Sequence, residues 1–265
     1  MKHIISFSAI ITTAVLLLSC SKDTSRVLQT EDVRDKAFIK IVNTYMAVNP
    51  SGATPAAGPS VDIFVNNAKI NQAPIGFTSI FPAPTFYAAV TSGLSVNIKF
   101  VINRTGGSLP ADTISNKDYN LAAGSYTTLF VADTTPNPTP QNPYILPFGE
   151  SITPVKANFY RVRFVNMIPS GDTLEIFSKA LNTVLLPGTR FKFASEWFEY
   201  PLLRRADTLQ VRRVGTTTVL TDLKTWNPGS EHVYTLFTRG DILIAPPASG
   251  TVPVRARQLT FYTNR

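Results

Sequence analysis

Four residues near the start of the chain carry its most definite chemistry. Leu17-Leu18-Ser19-Cys20 closes an apolar run over residues 4–18, behind the basic start Met1-Lys2-His3. A leucine three residues before a cysteine, with a small residue directly before it, is what a lipoprotein signal peptidase requires. Cys20 is therefore expected to become the diacylated first residue of the processed chain. The apolar run, about 15 residues, falls short of the roughly 20 that cross a bilayer. Cys20 is the only cysteine, so acylation would leave no thiol for catalysis, disulfides or metal. A multiply acylated terminus holds a membrane far more firmly than one chain does. The expected address is the cell envelope, most simply the outer membrane, with the facing leaflet left open.

Other chemistries find poorer material. His3 precedes Cys20, leaving His232 as the one histidine after it. No nucleophile motif accompanies His232, and zinc would need several His or Cys ligands. Calcium loops and phosphate-cradling glycine loops have no match, and no cofactor or metal is expected. A glycosidase needs only two carboxylates across a cleft. Asp62 and Glu175 fall at matching positions but are expected to face outward from strands, while Glu196 and Glu199 flank Trp197 and Phe198. An enzyme is not expected. Trp197, Tyr200 and Trp226 offer flat faces that could stack on a sugar ring, although packing is the commoner fate of such rings. Arg161 with Arg163, and Arg255 with Arg257, are spaced by two, so each pair shares one strand face. Such faces suit lipid phosphate, acidic polysaccharide or an acidic protein, or else a solvated sheet face. Nucleic-acid binding is not expected, since no groove-reading module accompanies the arginines.

The elements that would position these residues read as β throughout. Phe38-Ile39-Lys40-Ile41-Val42, Val61-Asp62-Ile63-Phe64-Val65 and Val96-Asn97-Ile98-Lys99-Phe100 are short runs of branched and aromatic residues between Gly, Pro, Asn and Ser. Tyr160-Arg161-Val162-Arg163-Phe164-Val165, Leu174-Glu175-Ile176-Phe177 and Leu209-Gln210-Val211-Arg212 repeat the pattern. That is the strand signature, and no helix-period window interrupts it. Alternation predicts Lys40, Arg161, Arg163, Gln210 and Arg212 on solvent faces, with Ile39, Val162 and Val211 inward. Short strands at this spacing predict sandwiches.

Charge and proline divide the chain. Residues 20–150 hold nine Lys+Arg and nine Asp+Glu, whereas 151–265 hold fifteen and eight. Pro136, Pro138, Pro140, Pro143 and Pro147 mark residues 134–150 as a linker or long edge loop, because a central strand needs the amide that proline lacks. The expected organisation is a signal peptide over 1–19, a polar tether over 20–37 and sandwiches over 38–150 and 151–265. Within the tether, residues 31–36 read as a solvated charge cluster.

The halves also resemble each other. Ile39-Lys40-Ile41-Val42-Asn43 matches Val162-Arg163-Phe164-Val165-Asn166, and Val61-Asp62-Ile63-Phe64 matches Leu174-Glu175-Ile176-Phe177. Gly76-Phe77 corresponds to residues 188–191. Leu121-Ala122-Ala123-Gly124-Ser125-Tyr126-Thr127-Thr128-Leu129-Phe130 corresponds to Trp226-Asn227-Pro228-Gly229 followed by Val233-Tyr234-Thr235-Leu236-Phe237. Motifs in one order predict a tandem duplication of a folded unit. The first copy differs by a longer loop over 47–59. Gly124 leading Tyr126 into a strand reads either as a tyrosine corner, its hydroxyl bonded to upstream backbone, or as a plain core tyrosine.

The strand ending in Val-Asn, the Val-Asp-Ile-Phe strand and the Leu-Ala-Ala-Gly-x-Tyr-Thr segment resemble the bacterial "domain of unknown function 4397" family. The resemblance is best over 38–133 and weaker over 160–239, where extra residues separate Gly229 from Tyr234. It implies extracytoplasmic lipoproteins or secreted proteins, notably of the Bacteroidota, built from sandwich modules with no assigned catalytic residue. The fold expected is thus all-β, two tandem immunoglobulin-like or transthyretin-like sandwiches. The role expected is a non-catalytic binding or structural module on a lipid anchor. Glycan binding within a polysaccharide-uptake system, or an adhesin or pilus-like subunit donating the strand at 259–262, are the alternatives.

Overall fold

The computed structural model describes residues 33–46, 60–103, 112–133, 143–203, 205–221, 223–247, 251 and 256–264. Cys20, Arg204, Arg255 and the loop at 47–59 lie outside them. Residues 33–35 form a single exposed 3-10 turn where a charge cluster was expected.

The first half contributes β1 (Lys36–Thr44), β2 (Ser60–Val65), β3 (Ala68–Lys69), β4 (Ile80–Phe81), β5 (Ala88–Thr91), β6 (Gly93–Asn103), β7 (Asp112–Leu121), β8 (Tyr126–Ala132) and β9 (Tyr144–Gly149). The second contributes β10 (Phe159–Asn166), β11 (Leu174–Ser178), β12 (Thr183–Thr189), β13 (Phe198–Pro201), β14 (Asp207–Arg213), β15 (Lys224–Trp226), β16 (Val233–Arg239) and β17 (Gln258–Thr263). The protein is all-β. Each half builds two sheets, and the pairing order repeats. β4-β1-β8-β9, with β5 also on β1, corresponds to β13-β10-β16-β17, and β3-β2-β6-β7 corresponds to β12-β11-β14-β15. In both halves the first strand runs parallel to the penultimate one and every other neighbour is antiparallel.

Register sharpens the internal match. Phe38 lies opposite Tyr126 and Arg161 opposite Val233, so Lys40 and Thr128 occupy the places of Arg163 and Thr235. The repeated Val-Asn has a structural reason. Asn43 donates to the Ile75 carbonyl and accepts from the Tyr45 amide, and Asn166 does the same with Thr189 and Ile168. Each asparagine thereby ties its strand end to the following turn. The turns before β8 and β16 correspond at Gly124 and Glu231, both at positive φ and both donating backbone N–H to the start of the first strand.

The cores follow from alternation. Ile39 and Ile41 of β1 meet Ile63 of β2 and Phe100 of β6 inside the first sandwich. Val162 and Phe164 of β10 meet Ile176 and Val211 inside the second. A third cluster joins the halves: Val42, Phe130 and Ala132 pack on Val165, Met167, Phe237 and Tyr262. The β1 sheet and the β10 sheet thus face each other, giving four layers with the β2 and β11 sheets outermost.

Two expectations change here. The segment read as a linker over 134–150 contains β9, an edge strand paired along its length with β8. Pro147 sits in β9, as Pro187 and Pro201 sit in the edge strands β12 and β13; an edge tolerates the missing amide that a centre would not. The strand at 259–262 is likewise engaged, since β17 pairs with β16 over six residues.

Candidate functional site

The most concentrated chemistry lies where the two inner sheets meet. Alternation correctly predicts that Lys40 shares a face with Val42, and Arg163 with Val165, but that face meets protein. Lys40 is fully buried and Arg163 is 4% exposed, which corrects the solvent-face reading of both. Gln210 is also buried, and Arg212 is half-buried with its guanidinium stacked 3.5 Å from the Phe177 ring.

Desolvating a cation is costly unless partners replace water. Lys40 Nζ donates to the carbonyls of Pro84 at 2.7 Å and Thr263 at 3.0 Å. It also lies 4.3 Å and 4.4 Å from the ring centres of Tyr87 and Tyr262, within cation–π range. Arg163 makes a 2.6 Å ion pair with Glu150, whose side chain is fully buried, and donates to the Gly149 carbonyl at 2.9 Å. The Arg163 guanidinium also sits 4.6 Å from the Trp197 ring. Glu150 gathers the Tyr262 hydroxyl at 2.7 Å and that of Thr235 at 3.3 Å. Asn264 completes the cluster, accepting from the Tyr87 hydroxyl at 2.6 Å and donating to Thr235 at 3.0 Å.

Two cations here share one carboxylate, and the proton affinities reflect it. Burial lowers the Lys40 pKa to about 8, with Glu150 pulling the other way. Burial, then Glu150, raises the Tyr262 phenol well above its ordinary value and raises that of Tyr87 as well. The cluster is a set of buried donors and charges held between the two inner sheets. Such an arrangement ties the two inner sheets together through contacts from each half to the other.

Beside this seam a shallow groove of about 440 Å³ opens, with Asn120, Ser125, Tyr126, Thr127, Ser151 and Thr153 among its walls. Glu150, Ala122 and Ile152 also line it, so the lining is part polar and part apolar. Arg161 braces one wall, donating to Ser151 Oγ at 2.8 Å while pairing with Glu199.

The other sequence-predicted residues scatter. Trp226 is 1% exposed and packs edge-on against Tyr160, Tyr234 and Phe261 in the second core, so it offers no surface to a sugar. Tyr200 is half-buried, its hydroxyl donating to the Leu185 carbonyl. Arg257 is half-buried, with its backbone amide on the Ile244 carbonyl and its proton affinity lowered by burial, then by Arg213. Glu199 is spent on Arg161, Asp62 on Lys69 at 2.9 Å, and Glu175 lies opposite Arg212 in the ladder. His232 stacks on Tyr234, with Nδ1 beside the Ser230 carbonyl. Among the described residues no group of three His, Cys, Asp or Glu could hold a metal ion, and no helix is long and apolar enough to cross a membrane. Tyr126 stacks on Phe38 at 4.6 Å. A corner-type bond occurs instead in the second half, where the Tyr234 hydroxyl accepts the Gly229 amide at 2.8 Å.

Sequence reasoning missed Tyr87, Glu150, Tyr262 and Asn264 as members of the seam. One signal pointed there: both copies carry a cation flanked by apolar residues in the first strand, Lys40 and Arg163, at the same aligned position.

Fold and seam together define a tandem all-β protein whose two related sandwiches are joined face to face through buried polar groups. The family described as a domain of unknown function (DUF4397) matches residues 51–177, so this stretch of the chain is similar to that family. The match starts beyond β1, runs through Glu150 and Arg163, and ends in β11. It starts later than the resemblance that is best over 38–133, reaches into the weaker stretch over 160–239, and takes in both partners of the buried ion pair. No curated protein matches the chain.

Proposed function

We propose that the protein is a lipid-anchored component of the bacterial cell envelope whose tandem sandwiches serve as a non-catalytic binding or structural module at the membrane surface. The observation that carries this reading is Leu17-Leu18-Ser19-Cys20 behind its apolar run. The buried seam supports the second part, because charges fixed between sheets suit a stiff spacer better than a reactive cleft. The outer membrane is the proposed address.

The test is metabolic labelling of the full chain with an alkyne fatty acid in a bacterial host, followed by fractionation. Label on the wild-type protein in the membrane fraction, with Cys20→Ala losing the label and leaving that fraction, is the expected result. Equal membrane recovery of unlabelled wild type and C20A would reject the anchor.

The groove favours one ligand class for the module. Its walls mix the hydroxyls of Ser125, Thr127, Ser151 and Thr153 with apolar surface from Ala122, Tyr126 and Ile152, a combination that suits the polar rim and apolar face of a sugar ring. Titration of the chain beginning at Ser21 with envelope polysaccharides checks this, and Thr127→Tyr, placed in the groove wall, should abolish any binding seen.

A further inference from the structure

The faces that the two halves bury against each other are related contact by contact. Lys40 of the first half donates to the Thr263 carbonyl of the second, and Arg163 of the second donates to the Gly149 carbonyl of the first. Ladder register makes Gly149 and Thr263 equivalent, since Thr127 faces one and Tyr234 the other. By the same register Phe148 corresponds to Tyr262. Lys40 lies over the Tyr262 ring at 4.4 Å and Arg163 over the Phe148 ring at 5.7 Å. Within each half, Lys40 covers Tyr87 and Arg163 covers Trp197, which directly precede equivalent pairing positions on β1 and β10. Phe130 and Phe237 are equivalent and touch each other, with ring centres 5.4 Å apart.

A contact from i to j matched by one from j to i, with equivalent residues meeting at the centre, is the rule of a two-fold interface between identical subunits. Chance packing of two linked domains has no reason to obey it. We infer that the inner face of this repeat is a self-complementary docking surface whose fitting partner is a second repeat of the same kind, here supplied by the same chain. One pair breaks the symmetry. Glu150 and Asn264 are equivalent, each with its backbone amide on the residue that starts the neighbouring strand, Tyr126 or Val233. The carboxylate thus makes its direct ion pair with Arg163, and the Lys40 side has the Asn264 amide at the equivalent place.

The experiment exchanges that pair in the full chain. Glu150→Asn should lower the urea midpoint sharply at pH 7, by stranding Arg163. Adding Asn264→Glu should restore at least half of the lost midpoint, because a two-fold relation carries the carboxylate to the equivalent place beside Lys40. A double variant no more stable than E150N would overturn the inference. Should E150N fail to fold, the cation exchange decides: Lys40→Arg combined with Arg163→Lys must be more stable than the less stable of the two single variants. A double variant at or below that level would equally overturn it.

Discussion

Lys40 and Arg163 stand at the same position of two repeats, 0% and 4% exposed, and each reaches across to a backbone carbonyl of the other half, at 3.0 Å and 2.9 Å. The strength of the seam therefore rests on groups that pair between halves, and several outcomes follow from that placement.

Removing one member of a buried ion pair leaves the other charged and dry, which typically costs about 3–5 kcal/mol. Arg163→Ala is expected to fall in that range by urea unfolding, because Glu150 has a fully buried side chain. The rim pair behaves differently. Glu199→Gln, on the edge strand β13 and paired with Arg161 of β10, should cost at most about 1 kcal/mol.

Stability should depend on alkaline pH in two opposed windows. The folded pKa of Lys40 is lowered from 10.5 to about 8, so below 8 both states are protonated and between 8 and 10.5 the unfolded chain binds more protons. Stability then rises with pH across that window. Tyr160 and Tyr119 are pushed up to about 12 by burial, and Tyr87 and Tyr262 are raised too. Their contribution is present below 10 and is lost as pH climbs toward 12. Chemical unfolding from pH 7 to 11.5 should show a rise followed by a fall, and Lys40→Met should remove the rise alone.

Phe130 and Phe237 meet at the centre of the seam, 5.4 Å apart and steeply inclined. Truncating either to alanine should cost about 3–5 kcal/mol. A double-mutant cycle should show coupling of about 0.5–1.5 kcal/mol, the usual worth of an aromatic pair beyond its area. Additive losses would mean that the two rings contribute independently.

The two equivalent turns place Gly124 at φ 72° and Glu231 at φ 64°. A side chain in that region costs about 1–2 kcal/mol. Glu231→Gly should therefore stabilise the protein by about 1 kcal/mol in thermal unfolding. Gly240 is a stricter case, because a Cβ there would meet the Ala256 carbonyl oxygen at 2.2 Å at φ 106°. Gly240→Ala should lower the melting temperature by several degrees.

Much of the architecture was legible in the chain. Period-two runs gave the strands, their repetition gave the duplicated unit, and the Val-Asn and Leu-Ala-Ala-Gly-x-Tyr-Thr motifs gave the likeness to the family. Proline restricted β9 to an edge, although the cluster of prolines around it read as linker. The seam was only half legible. Alternation put Lys40 with Val42 and Arg163 with Val165, yet it could not report what would cover that face.

The sequence by itself determined which side chains share a face, since the pleat fixes that locally, and it determined that two similar faces exist. Only the tertiary structure decided that those faces meet each other. Burial is a property of the neighbouring layer, so a lone lysine in an apolar strand reads identically whether water or Tyr262 lies above it. Glu150, Tyr87 and Asn264 became partners of the cations through contacts far apart in sequence, which no local pattern encodes. The anchor at Cys20 is the reverse case, a chemistry carried by adjacent residues and readable from them alone.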